Sequence, residues 1–270
     1  MKSVIVNADD IGLHPAIDDA VLRLAEQGAI SSAGVMTLQS PDRATLQALQ
    51  TMGVDCGLHL DLTTARAAAR LDGRPGLKPL MLSAWSRQLD STRLRQLIND
   101  QLDAFEAIAG QPPRFVDGHE HVHQFPVVRD VLLSIISARY AQHGVCIRNT
   151  SSRQWRGVKS EIIARLGASR LSRLAQQHGF AMNSDFAGVY GLNADAPLLR
   201  LWSQWLASLP AHGGIVVCHP ATAVIPDDSH AQARLVEFQL MGSSDWKDLL
   251  VQLGITVATW RQALAPSLTS

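Results

Sequence analysis

Ser3-Val4-Ile5-Val6-Asn7-Ala8-Asp9-Asp10 opens the chain with an apolar run that breaks off on two acids. Ser3–Asn7 reads as a first strand, and Pro15–Gln27 as a helix with Ile17, Val21, Leu22 and Leu24 on its inner side. Short apolar runs and longer amphipathic segments then alternate along the chain. Further strands are expected at Ala33–Leu38, Val54–Leu60, Arg114–Gly118, Gly144–Arg148, Gly213–Cys218 and Ile255–Ala258. Helices are expected near Arg43–Met52, Ser91–Ala109 and Val127–Ala141, onward to about residue 180, around Ala196–Leu206 and near Ala231–Gln239. This is the rhythm of β-α units feeding a mostly parallel sheet. About seven or eight such units fit a distorted TIM-like (β/α) barrel better than an open sheet of five or six strands. The 270 residues are compatible with one α/β domain spanning 1–270. Gly73, Pro75, Gly76 and Pro79 interrupt the rhythm between about Thr63 and Asp90, where a long connecting loop or lid is expected.

Lys plus Arg and Asp plus Glu balance at 24 each, so no net field gathers nucleic acid or an anionic membrane surface. No segment approaches the roughly 18 apolar residues of a membrane span, and the first apolar stretch is too short for a signal peptide. Cys56, Cys146 and Cys218 are odd in number and lack CxxC spacing. They read as buried, reduced thiols of a cytoplasmic protein, and none stands out from its strand as a nucleophile.

In a barrel the carboxyl ends of the strands form the active face, so the polar residues at those ends carry the functional question. Asp9-Asp10 follows the first strand, His59 ends the third, and Asp117, His119, His121 and His123 follow the fourth. Arg148 ends the fifth, and His219 follows Gly213–Cys218. One or two carboxylates with two imidazoles suit a divalent metal that keeps positions open for water and substrate. Each residue also has a plainer reading. Asp9-Asp10 can cap the turn at Gly12, His59 can be a satisfied polar residue at a strand end, and Arg148 can close a strand with an ion pair or orient Asp9 or a substrate oxygen. His219, before the strand-ending Pro220, reads as a general acid or a buried strand-end histidine.

Spacing by two places His119, His121 and His123 on one face of an extended segment, where at most one or two reach the same metal as Asp10 and His59. The others would contact substrate or support the ligands. His119-Glu120-His121-Val122-His123 also matches H-E-x-x-H, the helical zinc-protease signature. That motif needs a helix, and Pro112, Pro113, Gly118 and Pro126 surround it.

Taken in order, Val6-Asn7-Ala8-Asp9-Asp10-Ile11-Gly12-Leu13, Gly57-Leu58-His59-Leu60, Val116-Asp117-Gly118-His119-Glu120-His121-Val122-His123 and Cys218-His219-Pro220 resemble the YdjC-like carbohydrate deacetylases, the family of the chitooligosaccharide deacetylases and the hopanoid-biosynthesis-associated deacetylase. The likeness runs through to Arg234 and Glu237. It departs from the common pattern at Ile11, where Phe is usual, and at Gly118 and Glu120, where Ser and His are more frequent. The resemblance implies a distorted TIM-like barrel with Asp10, His59 and His119 as metal ligands, Asp9 as general base and His219 as general acid. Asp117, His121, His123 and Arg148 would then bind substrate or support the site. It implies one divalent metal, with magnesium often described, whereas two imidazoles and a carboxylate suit zinc, iron, cobalt or manganese. It also implies an N-acetylated sugar as substrate, with acetate released, and allows a homodimer. The same rim could serve a hydrolase of another amide or a phosphoester, or a non-catalytic sugar- or metal-binding protein.

Overall fold

A computed structural model describes residues 1–265. Eight strands form one sheet: β1 (Lys2–Ile11), β2 (Ser32–Val35), β3 (Asp55–Leu60), β4 (Phe115–Gly118), β5 (Cys146–Ile147), β6 (Asp185–Ala187), β7 (Gly214–Cys218) and β8 (Ile255–Val257). Their order is β5-β4-β3-β2-β1-β7-β6, every pairing is parallel, and β8 pairs β1. A bridge from Ile147 to Met182, just before β6, brings the two ends of this path together. The sheet is therefore a curled, distorted (β/α) barrel whose seam is far thinner than its other contacts. Val4 pairs both Gly214 of β7 and Val257 of β8, so β8 lies along the lower part of β1 on the edge that β2 takes higher up.

Alternation along β1 separates two cores. Val4, Val6 and Ala8 face outward into the large core beneath the helices. Ile5 faces inward and joins Phe115, Cys146, Phe186, Ile215, Val217 and Trp260. This second cluster fills the barrel interior, and the helix Trp260–Leu264 seals it from below. The Trp260 ring stacks on Phe115 with centres 5.2 Å apart, and its indole N–H donates to Ser32 Oγ at 3.1 Å. Gly57 makes room for this packing, since a Cβ there would lie 2.5 Å from the Phe115 ring. The residues above Ile5 on the same inward face are Asn7 and Asp9, so the polar site rests directly on an apolar floor.

The surrounding helices follow local signals. Pro15–Glu26 has His14 as its cap, with Nδ1 accepting from the Ala16 N–H, and buries Ile17, Ala20, Val21 and Leu24 at helical spacing. Ser91–Ala109 is capped by Asp90 and stopped at Gly110, whose φ of 71° suits glycine. Its buried Gln101 exchanges two hydrogen bonds of 2.9 Å with the backbone of Asp61, which fixes the chain just after β3. Between residues 63 and 90 the chain forms two short helices, Ala65–Arg70 and Leu77–Trp85. Among the described residues no helix is long and apolar enough to cross a membrane.

Candidate active site

The site begins with a fault in β1. Ala8 pairs Ala33 and Ile11 pairs Val35, so Asp9 and Asp10 together oppose the single residue Gly34. This is a β-bulge, and Asp10 takes the left-handed conformation at φ 74°. A regular strand would send adjacent side chains to opposite faces. Here both carboxylates stay buried at the mouth of the barrel, and Ile11 returns to the outer core. Gly34 is part of the arrangement, because a Cβ there would sit 3.2 Å from His59 Nδ1 and 3.3 Å from Asp9 Oδ1.

The two acids have different partners. Asp9 receives a two-pronged hydrogen bond from Arg148, at 2.9 and 2.6 Å, and a further one of 2.7 Å from the Asn7 amide. Asn7 is itself held by Ser32, which donates to its Oδ1 at 2.6 Å and receives the Trp260 indole N–H. Arg148 also contacts Asp117 and is fully buried. Burial alone would raise the Asp9 pKa; the Arg148 guanidinium, helped by His59 and His219, outweighs it and holds the carboxyl far below the usual range.

Asp10 faces the imidazoles. Its Oδ1 lies 2.9 Å from His119 Nδ1 and 3.4 Å from His59 Nε2, while its Oδ2 accepts from Arg234 at 2.7 Å. Burial is again outweighed, by Arg234 and then His119, and Asp10 is held anionic. Asp117 accepts from His59 Nδ1 at 2.6 Å, which leaves Nε2 turned toward Asp10. Donor atoms of Asp10, His59 and His119 all lie within 4.8 Å of one another. Asp9, His59 and Asp117 are grouped as closely, but Arg148 already bridges the two acids of that group, so we favour the first as a cation site. His59 is opposed by burial and raised to about 10 by Asp9 and Asp117. His119 is likewise raised, with Asp10 overcoming burial.

The histidine run is not extended, contrary to the sequence expectation. Residues 119–124 form a tight turn in which Glu120 and His121 have φ of 52° and 60°. The turn needs Gly118, where a Cβ would lie 2.9 Å from the His123 backbone nitrogen. Its three histidines therefore diverge. His119 meets Asp10, His121 sets its ring against Phe186 at 5.6 Å and lines the cavity, and His123 bonds the Arg148 carbonyl at 3.0 Å. The α-helical geometry of H-E-x-x-H is absent from this stretch. Burial keeps His121 and His123 neutral, His123 being lowered to about 4.

His219 follows β7 with Nε2 3.8 Å from Asp9 Oδ2. Burial lowers it to about 4 against the pull of Asp10 and Asp9. Its backbone N–H donates to Glu237, which also accepts from the Tyr190 hydroxyl at 2.8 Å. Burial raises Glu237 to about 7. Arg234 and Glu237 sit one turn apart on the helix Ala231–Met241 and are buried facing the barrel. Sequence reading gave neither a role in the site. The available signal was that this helix carries charges without a clean apolar stripe, so some of them must point inward. Asn7 falls in the expected first strand and in the Val6–Leu13 motif, neither of which assigns it a role. All nine residues singled out in the sequence gather here, and most line one cavity of about 430 Å³ with Arg234 and Tyr190.

A family model described as YdjC-like protein matches residues 3–252. A chitooligosaccharide deacetylase of Yersinia pestis bv. Antiqua (strain Angola) is 24% identical over 279 residues, covering 96% of this chain and 98% of the relative. One from Yersinia pseudotuberculosis serotype O:1b is also 24% identical, with the same coverage. Among solved structures, an Enterococcus faecalis V583 protein assigned to cellobiose-phosphate cleavage superposes with a TM-score of 0.72 at 18% identity, over 97% of this chain and 98% of the other. That likeness is one of fold.

Proposed function

We propose that this chain, which belongs to the YdjC-like protein family, is a metal-dependent hydrolase that removes the acetyl group from an N-acetylated sugar. The observation that carries the reading is the bulge in β1, which turns two neighbouring carboxylates toward different tasks. Asp9 is clamped by Arg148 beside His219, and Asp10 is clamped by Arg234 beside His59 and His119. The names of the curated relatives support the sugar and the acyl group.

The donor set fits a divalent ion. Asp10, His59 and His119 would hold it, because the protein restrains the remaining oxygen of Asp10 and the remaining nitrogen of His59 and leaves Oδ1 and Nε2 turned to a common point. Once bound, the ion would act as a Lewis acid toward the acetamide carbonyl and would acidify water.

Asp9 is anionic and lines the cavity, so it takes the proton of the attacking water. Arg148 fixes both of its oxygens and so sets the direction of that transfer. His219 is neutral at rest, and therefore accepts a proton before it can give one. Standing 3.8 Å from Asp9, it is placed to relay that proton to the nitrogen of the departing amine. The C–N bond breaks, and acetate and the free amino sugar leave.

The test is acetate release from N-acetylglucosamine oligomers by wild type, chelated protein and Asp9→Asn. Chelation and Asp9→Asn should each reduce turnover by at least about a hundredfold. Full activity after metal removal would overturn the proposal.

A further inference from the structure

Three carboxylates line the cavity, and two of them are committed: Asp9 is clamped by Arg148 and Asp10 by Arg234. The third, Glu120, is exposed and makes no hydrogen bond or ion pair among the described residues. It also lies outside both groups of donor atoms that could hold a cation. Neither cation binding nor the proton transfers therefore use it.

The backbone that carries it is strained. Glu120 and His121 are consecutive left-handed residues, at φ 52° and 60°, a conformation that residues with a Cβ adopt reluctantly. Such strain persists where the surroundings hold it, and it gathers at ligand sites. The restraints here are visible on both sides of Glu120. His119 is tied to Asp10, the His121 ring lies against Phe186, and His123 is bonded to the Arg148 carbonyl. The turn is thus pinned, and it presents a free carboxylate to the cavity beside His119.

An N-acetylated sugar brings a particular need to that place. With its acetamide at Asp10, His59 and His119, the ring carbon next to the one bearing nitrogen carries a hydroxyl. A hydroxyl hydrogen that leaves water needs an acceptor, and going without one is costly. Lys159 and Arg234, the cations of the cavity wall, can only donate. A carboxylate accepts, in a charge-assisted bond.

We propose that Glu120 is a specificity-determining residue that accepts a hydrogen bond from a ring hydroxyl close to the acetamido group, so that one strained turn reads the sugar with Glu120 and serves the acetamide with His119. This rests on the reading of the site as an acyl-sugar hydrolase, and adds the group by which it recognises the sugar.

The experiment compares the methyl β-glycoside of N-acetylglucosamine with its 3-deoxy and 4-deoxy forms, with zinc supplied. Binding is measured by titration calorimetry and turnover by acetate release, for wild type, Glu120→Gln and Glu120→Gly, the last of which suits the left-handed backbone. Wild type should favour the parent glycoside over at least one deoxy form by at least about tenfold, in affinity and in kcat/KM. Glu120→Gly should collapse that ratio toward one, Glu120→Gln should leave it in between, and zinc affinity should be unchanged in both. Parent-selective binding without acetate release would support Glu120 as the sugar-reading group and refute the deacetylase reading. A wild-type ratio near one, or no binding of the parent glycoside, would overturn the inference. So would a ratio that survives in Glu120→Gly, or a loss of zinc affinity in both variants, which would make the residue a support of the cation site.

Discussion

Arg148→Met takes one cation from between two buried carboxylates. Arg148, Asp9 and Asp117 are all at most 1% exposed. The guanidinium makes two bonds to Asp9, at 2.9 and 2.6 Å, and a third contact to Asp117. Methionine fills much of the same space, so the loss is chiefly of charge and hydrogen bonds and only secondarily of packing. Asp9 would retain the Asn7 amide, and Asp117 would retain His59. Removing one partner of a buried ion pair costs about 3–5 kcal/mol. At about 2–4 °C per kcal/mol for a domain approaching this size, the melting temperature should fall by about 6–20 °C. The same change frees burial to raise the Asp9 pKa, since the guanidinium that outweighed it is gone. The acid limb of kcat/KM should therefore move to higher pH, because the base must lose a proton that it never held in the wild type. Denaturant titrations and a pH–rate profile measure both effects, with Arg148→Lys as the variant that keeps the charge and loses the fork. A loss below about 1 kcal/mol with an unmoved acid limb would refute the reasoning.

Gly34→Ala should leave folding nearly intact yet weaken metal binding and turnover by about 10–100-fold, because the new methyl presses on His59 and Asp9; calorimetric metal titration beside a thermal melt separates the two. His59 stands at about 10 without metal, so binding an ion must displace its proton. Affinity should consequently rise with pH through neutrality, and titrations in buffers of different ionisation enthalpy should show at least about one proton released per ion at pH 7. Glu237 is raised from 4.5 to about 7, so the folded state holds a proton that the unfolded chain has lost between those values. The Glu237 share of stability should decline by about 2–3 kcal/mol as pH rises through that window, against the opposite slope of His123 and His219, both lowered to about 4; the difference between wild type and Glu237→Gln in urea midpoints at pH 4.5 and pH 8 isolates it.

The parallel barrel was legible because its strands are apolar and its helices carry their own caps, as at His14 and Asp90. β6 was not. It spans three residues, one of them Asp185, whose charge is answered by Arg156 from a distant segment. The strand ends located the acids and histidines, but not how they converge. Nothing in Asp9-Asp10 announces a bulge, since the bulge is defined only by the single opposing residue Gly34 on the neighbouring strand. The alternation of histidines suggested an extended segment, and the steric demand at Gly118 with left-handed Glu120 and His121 replaced it by a turn. Arg234 and Glu237 were hidden because a buried charge is justified only by partners far away in the chain, Asp10 and the backbone of His219.

The indole of Trp260 also bears on the order in which this molecule can become itself. Through Ser32 and Asn7 it touches the support of Asp9, across 228 positions of sequence. Strand β1 precedes every other described strand and is among the last to gain all its neighbours, since β7, β8 and the sealing helix follow it by most of the described residues. Contacts of such long sequence separation form slowly. A nascent chain halted before Trp260 would carry every acid and histidine of the site and most of the apolar residues beneath them, yet lack the ring that seals that floor, so competence should wait for this helix.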